Sequence, residues 1–258
     1  MGLPKIVLSS NEDPTYFSFV EVVKWAYEKM GFEVHLAILS RNKALDSIKN
    51  VRRYEPVGTL PEFSQAKMIR FILASELEGP VYIDDIDLFP LSKKFIMDAV
   101  NQRPEGHLLC VGGELYDNNG CYPVSQMTAE GSVWKQFINP NDKTHQELFK
   151  EWSSAECMYD RREDMGLKLD WTKDDYFSDE RLIRKLTAIN PVPKKEIPRG
   201  YSDYLDATID RHTYNKLTKS WDFDRQKLKN HGYVNAHGER PYSDELYKDL
   251  IKYINDNY

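Results

Sequence analysis

Three early segments restrict the fold more than anything later in the chain. Lys5-Ile6-Val7-Leu8 is an apolar run of strand length, and residues 16–30 carry Phe19, Val22, Val23, Ala26 and Tyr27 at helical spacing. Gly31 then reads as a helix C-cap, and residues 32–39 as a second strand. A strand, a helix and a strand in this order form a right-handed βαβ unit, which implies a parallel sheet. Ligands of such sheets gather beyond the carboxyl ends of the strands. The polar loop Ser9-Ser10-Asn11-Glu12-Asp13-Pro14 leaves the first strand at that edge.

A further strand ends at the same edge with an unusual run of charge. Pro80-Val81-Tyr82-Ile83 is apolar, Asp84, Asp85 and Asp87 follow, and Leu88-Phe89-Pro90 closes the stretch. Side chains alternate along extended backbone, so Asp85 and Asp87 are expected on one face and Asp84 on the other. Like carboxylates on one face repel. A bound cation that favours oxygen ligands, Mg²⁺ or Mn²⁺, removes that cost. A solvated acidic turn is the plainer reading of the same residues.

The remaining pattern supports one α/β domain over residues 1–258. Residues 40–58 are mixed and basic, with Arg41, Lys43, Lys49, Arg52 and Arg53. Residues 64–77 predict a helix capped by Ser64, with Lys67 and Arg70 sharing a face. Helices are also expected over 92–100, 147–152, 179–188 and 243–255, a strand over 107–111, and a proline-rich loop over 190–200. With no repeat and no clear linker, the simplest architecture is a mainly parallel central sheet flanked by helices, with a less regular C-terminal part.

Composition narrows the function classes. A net charge of −6 argues against a generic nucleic-acid binder, whose affinity rests on phosphate neutralisation. Cys110, Cys121 and Cys157 form no CxxC pair, which fits a reducing compartment without a disulfide framework or a zinc site. No apolar run approaches the length of a membrane span and no signal-peptide-like region opens the chain, so a cytoplasmic location is expected.

The βαβ start, the helix carrying Lys67 and Arg70, and Asp85-Ile86-Asp87 at a strand end resemble the GT-A class of nucleotide-sugar glycosyltransferases. The segment from Asp85 through Leu88-Phe89-Pro90-Leu91-Ser92 to Phe95 is similar to a narrower group, which includes glycosyltransferases of large algal DNA viruses that build capsid glycans. Three more blocks match in order: Tyr122-Pro123 with Thr128-Ala129-Glu130-Gly131, then Tyr176-Phe177-Ser178-Asp179-Glu180, then Val234-Asn235-Ala236-His237-Gly238-Glu239-Arg240-Pro241. The likeness covers most of residues 3–255 and is loose between 140 and 170. One departure is Asn235, where the late block often has Asp.

The resemblance implies a site. Asp85, Asp87 and His237 would hold a divalent cation, with the imidazole tilting the choice from Mg²⁺ towards Mn²⁺. The donor would be a nucleotide diphosphate sugar, a UDP-sugar first, and the acceptor a glycan or glycoprotein, in the host cytoplasm if the protein is viral. Asp84 and Asp85, the loop residues Ser9, Ser10 and Asn11, and the cations Arg52, Lys67 and Arg70 are the candidate donor-binding residues. Residues 1–112 would form the nucleotide-sugar half, and 113–258 the acceptor half with the late metal-ligand segment. Asp179 and Glu180 are the candidate catalytic acids. In an inverting enzyme one would act as general base, and in a retaining enzyme it would orient a sugar. The resemblance leans to retention. Acids in a helix first turn also favour its dipole, by about 0.3–1 kcal/mol, so Asp179→Asn is expected to leave the melting temperature nearly unchanged. Trp171 and Tyr176 are candidates for stacking on a sugar, with core packing as their default role. Gly238 is expected to permit a tight turn beside His237.

Two other readings use the same residues. A phosphatase of the haloacid-dehalogenase kind also carries Asp-x-Asp after a strand, but it needs Thr or Val where Phe89 stands, and its motif follows the first strand. A non-catalytic sugar- or metal-binding module would keep Asp85, Asp87 and His237 without turnover.

Overall fold

Strand β1 (Lys5–Asn11) pairs in parallel with β2 (Glu33–Leu39) through seven registered residue pairs, from Lys5 opposite Glu33 to Asn11 opposite Leu39. The crossover between them is the expected helix, broken in two. Asp13 caps the short α1 (Pro14–Phe17) by accepting from the Thr15 N–H at 2.9 Å, and α2 (Val20–Lys29) follows. Gly31 ends it at φ +85°, a conformation that only glycine adopts without strain. The molecule is a computed structural model, which describes residues 2–112, 124–153, 178–197, 207–215 and 220–258.

The central sheet has seven strands. With β3 (Val51–Tyr54), β4 (Pro80–Ile83), β6 (Leu108–Val111), β7 (Met127–Glu130) and β8 (Lys194–Ile197), its order is β3-β2-β1-β4-β7-β6-β8. Only β7 runs antiparallel to its neighbours, so the sheet is mainly parallel as the βαβ start implies. The chain builds outward from β1 to β3, then returns to place β4 on the other side of β1. That reversal is the switch point at which such sheets open a crevice.

Period-two burial divides the core. Val7, Val81, Ile83 and Cys110 face one layer, while Ile6, Leu8, Tyr82 and Leu109 face the other. The first layer holds α3 (Glu62–Glu76), α5 (Gly131–Ile138), α6 (His145–Trp152) and α7 (Ser178–Ile189). Helix α3 is buried on nearly every side, because it lies between the sheet and α5. A fully buried side chain such as its Phe71 contributes about 1.5–3 kcal/mol through the area removed from water. The second layer holds α2 and α4 (Lys93–Gln102), which Ser92 caps by accepting from the Phe95 N–H at 3.2 Å.

That second layer also contains a small sheet, β5-β12-β9, made of β5 (Leu88–Pro90), β12 (Asn235–His237) and β9 (Thr208–Asp210). Strand β12 pairs antiparallel with β5, setting His237 opposite Leu88. A two-stranded ribbon of β10 (Tyr214–Asn215) and β11 (Ser220–Trp221) lies between β9 and the short helix α8 (Arg225–Lys229), and α9 (Asp244–Asn257) ends the chain. Tyr247 of α9 anchors the small sheet through ring contacts with Phe89, Phe19, Trp221 and Tyr242 at centroid distances of 4.9–5.8 Å.

Two expectations are corrected. Ser64 is not a cap: α3 starts at Glu62 after Pro61, and Ser64 is buried inside the helix. The proline-rich 190–200 stretch contains β8, which its edge position makes compatible with the neighbouring Pro193. The basic 40–58 stretch contains the opposite edge strand, β3. No described helix is long and apolar enough to cross a membrane.

Candidate active site

The C-terminal ends of β1 and β4 lie side by side at the switch point, where a cavity of about 290 Å³ opens. Its walls come from several parts of the chain. Ser9, Ser10 and Asn11 end β1; Asp85, Ile86 and Asp87 follow β4; Asp179 and Glu180 open α7; and Arg240 follows β12. Helix α3 adds Phe63, Ala66, Lys67 and Arg70, spaced to share one face. Asp13, Tyr16 and Val124 complete the lining.

The three aspartates take different places. Asp84 continues the ladder, its N–H donating to the Val7 carbonyl at 3.2 Å. Its side chain turns into the second layer, where it is buried and accepts from the Tyr27 hydroxyl at 2.6 Å and from the Asp85 N–H at 2.9 Å. Burial pushes its carboxyl up to about 7, against the lowering effect of the Tyr27 hydrogen bond. Asp84 is therefore placed in the fold and off the cavity, away from the donor-binding position expected for it. Beyond it the backbone turns, with the Leu88 N–H donating to the Asp85 carbonyl at 3.2 Å. This turn, and not strand alternation, sets Asp85 and Asp87 on the cavity side.

Arg70 joins two of the acids. It is almost fully buried, bonds the Asp85 carboxylate through Nη1, and donates from Nη2 to Asp179 Oδ2 at 2.8 Å. Burial lowers the Arg70 pKa, but Asp85 and Asp179 outweigh that and raise it. Lys67 Nζ stands 3.9 Å from Asp179 Oδ1. Asp179 stands in a helix first turn as expected, and it is also half of a buried ion pair. Arg52 lies elsewhere: it is on edge strand β3, exposed and paired with Glu76 at 3.5 Å, and does not line the cavity.

Asp87 meets a second set of partners. Its Oδ2 lies 3.2 Å from His237 Nε2 and accepts from Arg240 Nε at 2.7 Å and from Arg240 Nη2. Burial pushes the Asp87 carboxyl up, but His237 and Arg240 together hold it well below the usual carboxylate range. Arg240 Nη1 donates to the Tyr16 hydroxyl at 2.7 Å, and its guanidinium lies 4.6 Å from the Tyr16 ring centre.

The donor atoms of Asp87 and His237 could serve a divalent cation. They lie 3.2 Å apart, close enough for one divalent ion to take both, and a carboxylate oxygen with an imidazole nitrogen is a donor set that Mn²⁺ would accept along with other first-row ions. Asp85 does not join them. Among the described residues, no group of three or more His, Cys, Asp and Glu side chains is arranged to hold a metal ion. The three-residue set expected from the sequence is thus represented by two converging side chains, with Asp85 in the same cavity but bonded to Arg70.

The fold has counterparts among solved structures. The chain aligns over 98% of its length with the apo form of the glycosyltransferase GlyE of Streptococcus pneumoniae, at 11% identity and a TM-score of 0.51. A second GlyE structure gives the same TM-score at 9% identity over 99% of the chain. The chain has a GT-A glycosyltransferase fold. It spans 60% and 63% of the two GlyE chains. A looser likeness, with a TM-score of 0.45 and 10% identity, relates 97% of the chain to 99% of a glycosyltransferase involved in glycosylation of the major capsid of PBCV-1. No protein-family model matches the chain, and no curated protein sequence matches it significantly.

Within this GT-A fold, Tyr16, Phe63 and Arg240 line the cavity without having been singled out from the sequence. Arg240 carried a usable signal, a cation three residues after the candidate ligand His237. Tyr16 and Phe63 carried none, since aromatic residues near helix starts are mostly packing residues. Tyr122, Pro123, Trp171 and Tyr176 lie outside the described residues.

Proposed function

We propose that the chain is a glycosyltransferase that moves a sugar from a nucleotide diphosphate donor, a UDP-sugar, to a glycan acceptor, with Mn²⁺ or Mg²⁺ at Asp87 and His237. The observation that carries this reading is the Asp87–His237 donor pair beside the switch-point cavity of a GT-A fold. A divalent cation held there supplies charge neutralisation that makes the diphosphate a competent leaving group.

The chain's own groups divide the remaining work. Ser9, Ser10 and Asn11 offer hydrogen-bonding groups at the end of β1 for the base and ribose, which makes residues 1–112 the donor side. Asp179 and Glu180 face the cavity from α7, in the half that would receive the acceptor. Asp179 is clamped between Arg70 and Lys67 as a fixed anion. Held in this way, Asp179 is read as orienting a sugar, the role the sequence resemblance gives it in a retaining enzyme. A capsid glycan as acceptor, made in a host cytoplasm, extends the reading on the sequence resemblance alone.

The test is release of UDP from a panel of UDP-sugars by purified protein, with Mn²⁺ and with EDTA. The expected result is turnover of one donor that EDTA abolishes and Mn²⁺ restores. Failure with every donor would remove the transferase reading, and turnover undiminished by EDTA would remove the metal.

A further inference from the structure

We infer that Arg240 is a resident counter-ion of Asp87 that a divalent cation must displace, so that cation affinity is set by the exchange of one for the other. This rests on the metal reading above. Asp87 is nearly fully buried, and its Oδ2 is the atom on which Arg240 Nε (2.7 Å), Arg240 Nη2 and His237 Nε2 (3.2 Å) all converge. Arg240 Nη2 also stands 3.5 Å from His237 Nε2. The guanidinium therefore fills the wedge between the two candidate donor atoms. A divalent ion bonded to both would face a cation within bonding reach of the same oxygen, and the two would repel each other.

The arrangement has a reason in the metal-free protein. A buried carboxylate with no cation beside it is strongly unfavourable, and Arg240 supplies that cation while no metal is bound. Arg240 also has somewhere to go. Tyr16 already accepts from its Nη1 at 2.7 Å and offers its ring face at 4.6 Å, so the side chain can leave Asp87 while keeping a hydrogen bond and a cation–π contact.

The experiment is calorimetric titration of Mn²⁺ alone into wild type, Arg240→Gln, Arg240→Lys and Asp87→Asn, with melting curves of each at zero and saturating Mn²⁺. Removing the competitor should tighten Mn²⁺ binding in Arg240→Gln by roughly 10- to 100-fold, the weight of one charge-assisted hydrogen bond. Its melting temperature should also rise more with Mn²⁺ than that of wild type, because binding to the native state replaces the lost counter-charge. Arg240→Lys, which keeps a cation but cannot make the two-pronged contact, should fall between them and covers the case of a poorly folding Gln variant. Equal or weaker Mn²⁺ binding by folded Arg240 variants overturns the exchange while leaving the metal site standing. Absence of Mn²⁺ binding in every protein, or undiminished binding by Asp87→Asn, overturns the metal site and the exchange with it.

Discussion

Asp179 and Arg70 form a buried pair whose energetics differ from those of a surface helix cap. Both side chains are about 95% buried, and Arg70 also bonds Asp85 across the cavity wall. Removing one member of a buried pair typically costs ~3–5 kcal/mol, less here because Asp85 still partly compensates Arg70. Asparagine keeps one acceptor oxygen for the guanidinium, so Asp179→Asn should cost about 2–3 kcal/mol, nearer the worth of the charged hydrogen bond. Urea denaturation of the variant measures this directly, and a change under about 0.5 kcal/mol would mean that the pair does not support the fold. Loss of transfer in Asp179→Asn must therefore be read beside its stability. The shared helical face of Lys67 and Arg70 was legible in the sequence, because spacing of three on a helix sets it. Their partner was not, since Asp179 lies 109 residues beyond Arg70 and periodicity carries no information about such distances.

At the scale of elements, legibility followed length and periodicity. The βαβ start, α4 and α9 repeat a pattern over enough residues to declare themselves, and Ser92 and Ser243 cap the latter two helices. Strand β12 has only three residues, too few for alternation to be read, yet it carries His237 to Asp87. What seats β12 is a close approach. A Cβ at Gly238 would stand 1.1 Å from the Tyr247 hydroxyl oxygen and 2.3 Å from the ring carbon bearing it. Gly238 is thus required for contact with α9 and not for a left-handed turn, since it is not among the positive-φ residues. Gly238→Ala should push β12 or Tyr247 aside, cost about 1–3 kcal/mol as overpacking, and weaken whatever ligand His237 holds. Gly58→Ala, which meets nothing within 4 Å, should stay within about 0.5 kcal/mol. Equal stability of the two variants would show that Tyr247 does not set the position of β12.

For the molecule as a whole, the acid run after β4 serves both the fold and the cavity, and the division should be visible in stability against pH. Asp84 is enclosed by α2 and the sheet, facing the Tyr27 hydroxyl, with Asp85 and Arg70 as the other charged groups acting on it. Its carboxyl is raised from 3.8 to about 7, so in that window the folded chain holds a proton that the unfolded chain has released. The sign follows from linkage: the contribution is fully present below about pH 4, falls as pH rises, and is gone above about pH 7. Between pH 5 and pH 8 the loss is on the order of 2 kcal/mol. Other groups also titrate across that range, so the informative quantity is the difference between wild type and Asp84→Asn, each unfolded by urea at both pH values. Asparagine cannot ionise, so wild type should lose stability relative to the variant as pH rises. A difference that stays constant, or grows in favour of wild type at pH 8, would mean that Asp84 is charged in the fold and that burial does not govern it.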